Sequence, residues 1–312
     1  MESFLTLPQG ADSPMPKILV VVDPNDRENC ALNRINEISA DRAEFKIDFY
    51  LEFPEGAKEA SLVAEKMEER KRWLASLVRP YIERGYKMET EVVLFRRLHE
   101  AIIKSAIVWG AELVFKPLRR HRILHTLIFT PTDWNLVRSC ACPLLFVTHA
   151  NTIKGRPIIA AVDVASLDRA HQKLNDVVLD QTKRLAGVLD SNVHMVHAYR
   201  QAIGISQGAI FDPLAVASIN LRRKEQGFNA YKLAEDREIP RERVHLREGF
   251  ADVVVNRCAS EIDAGIVVIG TVARSGAAGL LIGNTAESVL EGARSDVFVV
   301  KQRDFVSPVK AA

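Results

Sequence analysis

The chain has 312 residues, of which 47% are hydrophobic, and its 42 basic and 40 acidic side chains give a formal net charge of +2. This length suits two domains of ordinary size, and the nearly balanced charge provides no broad field for capturing nucleic acid or an anionic membrane. We therefore expect the partner to be a small molecule.

Neither a membrane span nor a secretion signal is predicted. No apolar run approaches the ~18 residues of a transmembrane helix, and the first residues are acidic and interrupted by Pro8, unlike a signal peptide.

Four cysteines without CxxC spacing fit a reducing compartment. We expect a cytoplasmic protein. Cys140 and Cys142 could form a redox or metal pair, but buried free thiols are the commoner role for such residues.

Strand and helix patterns alternate along the first half of the chain. The apolar run 18–22 has the length of a buried strand, and it is followed by a helical face. The predicted strands are 18–22, 45–53, 91–95, 113–116 and 144–148, and the helices between them carry apolar faces within 31–38, 74–81, 101–108 and 133–140.

The second half repeats this order. Its predicted strands are 158–162, 193–198, 244–247, 266–269 and 297–301. Residues 267–301 align with residues 114–148 at one constant offset, and Asp23 and Asp163 each follow the first strand of a half. The chain is therefore a duplication. We predict two domains, 1–150 and 151–312, with the boundary in the polar segment 149–157.

Most of these strands read as nearly continuous runs of valine, isoleucine and leucine. Such strands are buried on both faces, which favours a parallel sheet with helices on each side. The predicted fold class is α/β, with two tandem doubly wound domains that each contain a five-stranded parallel sheet.

Segments 54–58 and 201–213 follow the second strand of each half, on the side where open α/β sheets bind ligands. They could be lids or tolerated surface insertions.

A phosphate cradle is predicted in the second half. Gly270 follows a buried strand, and Gly283, Asn284 and Thr285 open the next predicted helix. Glycine lets the backbone approach a ligand, and the free N–H groups and positive dipole end of a helix start favour phosphate. Asn284 and Thr285 are also good helix-start residues, so a purely structural cap is the alternative.

These residues resemble the universal stress protein family, specifically its tandem two-domain members, whose domains have an adenine nucleotide alpha hydrolase-like fold. The nucleotide-binding version of the family carries G-x2-G-x9-G-S/T between its fourth strand and fourth helix. The residues at these four positions are Gly270, Ala273, Gly283 and Asn284. Asp163 matches the acid that lies near adenine and ribose. The resemblance implies ATP or AMP binding in the second domain, with departures at Ala273 and Asn284.

The first half has lost the motif. The equivalent positions hold Pro117, Arg120, Thr130 and Pro131. Because proline has no backbone N–H, two donors to a phosphate are missing, and this loop is degenerate. The basic residues 119–122 could hold an anion, although such loops are more often solvated surface. His121 and His125 have helical metal-ligand spacing, but no third ligand completes a site in the sequence.

No enzyme is predicted. The sequence contains no phosphate-loop, nucleophile-elbow or HExxH signature, so we assign no catalytic and no metal residue. The expected function is a cytoplasmic stress-response protein that acts by ligand binding, with at most very slow ATP hydrolysis. The alternative is a binding module for an elongated, lipid-like metabolite. The resemblance also implies that the closing strands 144–148 and 297–301 make an intramolecular pseudo-dimer, and a homodimer could form in addition.

Overall fold

The computed structural model describes residues 15–26, 28–38, 43–53, 57–120, 127–149, 151–166, 168–199, 213–271, 274–276, 279–281 and 284–310. The first half contains strands β1 (Lys17–Val22), β2 (Glu44–Glu52), β3 (Lys87–Phe95), β4 (Leu113–Pro117), β5 (Arg119–Arg120), β6 (Leu127–Ile128) and β7 (Leu144–Val147). Its helices are α1 (Cys30–Asn33), α2 (Ala57–Ile82), α3 (Leu98–Trp109) and α4 (Pro131–Ser139), with a 3-10 turn at Arg34–Glu37.

The second half contains strands β8 (Ile158–Ala161), β9 (Val193–Tyr199), β10 (Val244–Glu248), β11 (Ile266–Thr271), β12 (Arg274–Gly276), β13 (Gly279–Leu281) and β14 (Asp296–Lys301). Its helices are α5 (Arg169–Leu189), α6 (Pro213–Glu235), α7 (Ala251–Glu261) and α8 (Asn284–Glu291), with a 3-10 turn at Arg241–Arg243. Among the described residues, no helix combines the length and the apolar character needed to span a membrane.

Two helix starts show how local residues fix these elements. At α4, the Thr130 hydroxyl and the Asp133 carboxylate form a capping box, and Pro131 occupies the first helical turn, where its missing N–H costs nothing. At α5, the Asp168 carboxylate accepts a hydrogen bond from the Ala170 N–H at 3.2 Å. Local polar chemistry therefore sets both starts.

The large strands form one ten-stranded sheet in the order β10-β9-β8-β11-β14-β7-β4-β1-β2-β3. Within each half the five strands are parallel and follow the local order 3-2-1-4-5. Buried side chains cover both faces of the sheet and form its two core layers. The predicted α/β class with parallel, helix-covered strands is confirmed.

The two halves meet at β7 and β14. These strands pair antiparallel, with Phe298 opposite Leu145, and every residue of both strands is buried. The predicted contact between the closing strands is therefore confirmed. It makes the two five-stranded blocks one continuous sheet.

A buried ion pair also joins the halves. The Arg34 guanidinium lies 2.9 Å from Asp296 Oδ2 and donates hydrogen bonds to the carbonyl oxygens of His149 and Asn151. Asp296 Oδ1 accepts from the backbone N–H and the hydroxyl of Thr148, at 2.8 and 2.9 Å. Arg34 is 2% exposed and Asp296 is fully buried. The pair therefore ties the first half to β14 and to the connecting segment.

Each half also contains a small antiparallel hairpin that the sequence patterns did not predict. β5 pairs with β6 in the first half, and β12 pairs with β13 in the second. Both hairpins lie between the fourth strand and the fourth helix of their half, where the phosphate loop was predicted. Strands of two or three residues are too short to show a periodic pattern.

We propose that 1–150 and 151–312 fold as separate units, and we predict that each unit self-associates when it is produced alone. Separation leaves β7 or β14 as an apolar edge strand, which is a template for pairing with another chain. Sedimentation velocity of each half should show dimers or larger species at micromolar concentration. Monomeric halves would contradict this prediction, and unfolded halves would contradict the independence of the units.

Candidate functional site

The candidate site lies at the carboxyl ends of β8 and β11. These strands are parallel neighbours with Ala161 opposite Ile269, so Asp163 and Gly270 emerge at the same edge of the sheet. The strand order reverses at this point, because β8 has β9 as its neighbour on one side and β11 on the other. Open α/β sheets bind ligands at such a switch point. The structure thus brings together two residues that are 107 positions apart in the sequence.

The backbone of Asp163 is held by Asn175 of α5. The Asn175 Oδ1 accepts from the Asp163 N–H at 3.1 Å, and the Asn175 Nδ2 donates to the Asp163 carbonyl at 2.8 Å. Asp163 Oδ1 accepts from the Ala165 N–H at 3.0 Å, which closes a local turn, and the side chain is exposed. The role of Asn175 was not predicted from the sequence. The available signal was an asparagine near the start of the helix that follows Asp163.

Gly270 has a packing role in addition to any role in ligand access. A Cβ atom at this position would lie 2.5 Å from Leu174 Cγ and 2.7 and 2.9 Å from the two Cδ atoms. Contacts below 3.0 Å require the neighbour to move, and Leu174 is itself buried in α5. The glycine therefore lets α5 approach the end of β11.

The remaining motif residues are described only in part. Gly283 and Ala273 lie outside the described residues. Asn284 and Thr285 form the first turn of α8, as predicted, so their backbone N–H groups belong to a helix start. The hairpin of β12 and β13 precedes this helix.

Lys301 is a second residue that the sequence patterns did not indicate. It ends β14, and its Nζ atom donates a hydrogen bond to the carbonyl of Val137 and lies 3.4 Å from Thr271 Oγ1. Burial lowers the pKa of this amine to about 8. The amine therefore stands beside the residue that follows Gly270 and touches the last turn of α4, where the helix dipole favours a cation.

In the first half, the protein's own carboxylate lies at the start of α4, the position equivalent to the predicted phosphate site. Lys116 Nζ lies 2.6 Å from Asp133 Oδ1, and Asp133 Oδ2 accepts from the N–H and the hydroxyl of Thr130, both at 2.7 Å. Asp133 is fully buried at the start of α4. A helix start attracts an anion, and here the chain supplies that anion itself.

The second half has no such internal anion at the equivalent positions. Lys116 aligns with Ile269, and Asp133 aligns with Ala286; both second-half residues are apolar and buried. The two halves therefore share the strand order and differ in the charge placed beside the last helix. In the first half a carboxylate already fills the anion position at the helix start. In the second half the aligned residues place no charge there.

The other residues singled out in the sequence add little to the site. Cys140 and Cys142 are free thiols, and Cys142 Sγ donates to the Ala111 carbonyl at 3.1 Å. His121 and His125 lie outside the described residues, as do most of the two segments after the second strand of each half. The lid interpretation of those segments stays a prediction.

Comparisons with known proteins agree with the duplication. The sequence model of the Universal stress protein family matches residues 15–148 and again residues 156–301. The chain is 32% identical to universal stress protein E of Escherichia coli (strain K12) over 310 residues, which cover 94% of this chain and 96% of that protein. A crystal structure of a putative universal stress protein from Pseudomonas aeruginosa UCBPP-PA14 is similar, with a TM-score of 0.74, 30% identity and coverage of 93% of this chain and 94% of that chain.

Proposed function

Because this chain belongs to the universal stress protein family, we propose that it acts in the stress response by binding one adenine nucleotide, ATP or AMP, in its second half. Asp163 would engage the base or ribose. Gly270 and Gly283 would admit the phosphates, and the α8 start with Asn284 and Thr285 would hold them.

The observation that supports one site per chain is the difference between Asp133 and Ala286. In the first half the Asp133 carboxylate lies at the α4 start and pairs with Lys116, and it accepts the hydrogen bonds of the Thr130 N–H and hydroxyl. A phosphate would have to displace this buried carboxylate from all three groups. The aligned Ala286 carries no charge. Glu287 in the first turn of α8 is 3.3 Å from the Arg138 guanidinium of α4, and the N–H groups of the α8 start would favour an anion.

The amine of Lys301 also favours nucleotide binding in the second half. Its Nζ atom lies 3.4 Å from Oγ1 of Thr271, the residue that follows Gly270 at the start of the proposed phosphate loop. A buried cation near the phosphates would favour binding. It does not replace the loop lysine and metal ligands that phosphoryl transfer uses, so we propose binding with at most very slow hydrolysis.

Calorimetric titration with ATP and with AMP tests the proposal. We expect Asp163→Ala to weaken binding about tenfold or more, since a charge-assisted hydrogen bond to a ligand contributes roughly 1.5–3 kcal/mol. Asp23→Ala is the matched control, because Asp23 occupies the equivalent position of the first half and forms the same type of turn with Asn25.

Gly283→Val should abolish binding by blocking phosphate access, while the protein stays folded by circular dichroism. Equal losses in Asp23→Ala and Asp163→Ala, or tight binding that survives both Asp163→Ala and Gly283→Val, would refute the proposed pocket. A lipid-like mass in native mass spectra of the purified protein, without nucleotide, would favour the alternative of an elongated metabolite.

A further inference from the structure

Two histidines face each other on the outer strands of the second half. His194 lies on β9 and His245 on β10, and the Nδ1 atom of the first is 3.0 Å from the Nε2 atom of the second. The ring planes are nearly parallel, with an angle of 12° between them and 5.3 Å between their centroids, so the two nitrogens meet edge to edge. β10 is the last strand of the ten-stranded sheet and, among the described strands, pairs only with β9.

This hydrogen bond requires that at least one of the two rings be neutral. One imidazole nitrogen must carry a hydrogen and the other must be bare, so two protonated rings would place two donors and two positive charges in contact. On the neighbouring strand β8, the residue opposite His194 is Ile159, which is buried and provides no compensating charge.

The charged groups around the pair oppose protonation further. Burial lowers the pKa of His194 to about 4, and His245 and Arg243 of the preceding 3-10 turn act in the same direction. Burial also lowers the pKa of His245, as does Arg247 of β10.

Glu261 of α7 is the group that favours protonation of His245, but its carboxylate is already 2.5 Å from the Arg247 guanidinium. The other titratable group that α7 turns toward this face is the thiol of Cys258, whose pKa is raised by burial to about 11. It stays neutral in acid and cannot compensate a second positive charge.

The first half has a different pair at the same register positions. Ile18 and Ile158 are equivalent in the duplication, and the strand registers then align Lys46 with His194 and Glu91 with His245. Lys46 Nζ lies 2.5 Å from Glu91 Oε2. The first half thus joins its outer strands with a lysine–carboxylate ion pair, whereas the second half joins them with two imidazoles.

We propose that the His194–His245 pair is an acid-responsive latch that holds β10 to β9 at neutral pH and releases this edge of the sheet in mild acid. The proposal is independent of nucleotide binding. In the closed state burial lowers the pKa of His194 to about 4 and also lowers the pKa of His245, whereas an opened imidazole titrates near pH 6.5. The opened form therefore takes up protons first, and the stability of the edge is present above pH 6.5 and is lost as the pH falls toward 4.

Amide hydrogen exchange of the full chain tests the latch. Peptides that cover Val193–Tyr199 and Val244–Glu248 are followed at pH 7.5 and 5.0, with rates corrected for intrinsic exchange. We expect opening of these strands to increase about tenfold at pH 5.0, while the central strands β1 and β4 change little. Unchanged protection of β9 and β10 in the wild type would overturn the proposal.

The matched variant transplants the first-half pair as His194→Lys with His245→Glu, and it should remove the pH effect. Because new charges could disturb the second half at any pH, His194→Phe with His245→Phe provides a second, non-titrating aromatic pair with the same expected result. His171→Gln removes a histidine that pairs with Asp168 at the α5 start and should behave as the wild type. Acid opening that persists in both double variants would show that other groups drive it.

Discussion

Replacing Asp296 with alanine should lower the free energy of unfolding by about 3–5 kcal/mol. The substitution leaves the Arg34 guanidinium buried, with Glu37 at 3.6 Å as its remaining acidic neighbour among the described residues. It also removes the acceptor of two hydrogen bonds from Thr148. The loss is large because an uncompensated buried charge costs more than the ion pair contributes. Urea denaturation followed by circular dichroism measures it.

Glu68→Ala is the control. Glu68 forms an ion pair with Lys71 at 2.7 Å on the exposed face of α2, and removing it should leave the urea midpoint nearly unchanged because exposed pairs are screened by water. A loss below about 1 kcal/mol in Asp296→Ala, the typical contribution of an exposed pair, would show that this contact does not hold the halves together.

Gly270→Ala should destabilise the protein by about 1–3 kcal/mol, the usual cost of overpacking a filled core. The added methyl group would lie 2.5 Å from Leu174 Cγ, so α5 or the end of β11 has to shift. Combining Gly270→Ala with Leu174→Ala should give a smaller loss than the sum of the single losses, because the two changes compensate in volume. Thermal and urea unfolding of the four proteins measure this coupling.

Gly227→Ala is the matched glycine control. Gly227 lies within α6, and a Cβ atom there would be 3.8 Å from Leu246, an ordinary contact. This change should stabilise the protein by about 0.5–1 kcal/mol through helix propensity. Additive effects at Gly270 and Leu174 would refute the packing role of the glycine and leave ligand access as its explanation.

The fold was largely predictable because its signals are local and repeated. β1 and β8 appear in the sequence as short apolar runs that end one or two residues before Asp23 and Asp163, and burial on both faces implies parallel strands. The contact between β7 and β14 was expected from the family resemblance, and the structure confirms it. Local periodicity and duplication were sufficient for the strands and helices within each half.

The chemistry that distinguishes the halves was not predictable, because it depends on pairs that are distant in sequence. Nothing in the pattern indicates that Arg34 contacts Asp296, 262 residues away. The partner of Lys116 could not be chosen either, since a lysine in a strand and an aspartate at a helix start each have ordinary local roles. Such contacts follow from strand order and register, which a single sequence does not provide.

The candidate site shows the same division. Asp163 and Gly270 lie at one edge of the sheet, because parallel strands end together at a switch point, and their role in a ligand site stays a prediction. The hydrogen bonds from Asn175 and the contact with Leu174 were missed, because both residues look like ordinary members of an amphipathic helix.

Native mass spectrometry of the full chain with ATP tests the central claim most directly, since it counts nucleotides per chain. The closed anion position at Asp133 and the uncharged Ala286 predict a single bound nucleotide, which is lost in Gly283→Val and retained in Asp23→Ala. Two bound nucleotides per chain, or none at millimolar ATP, would contradict the account.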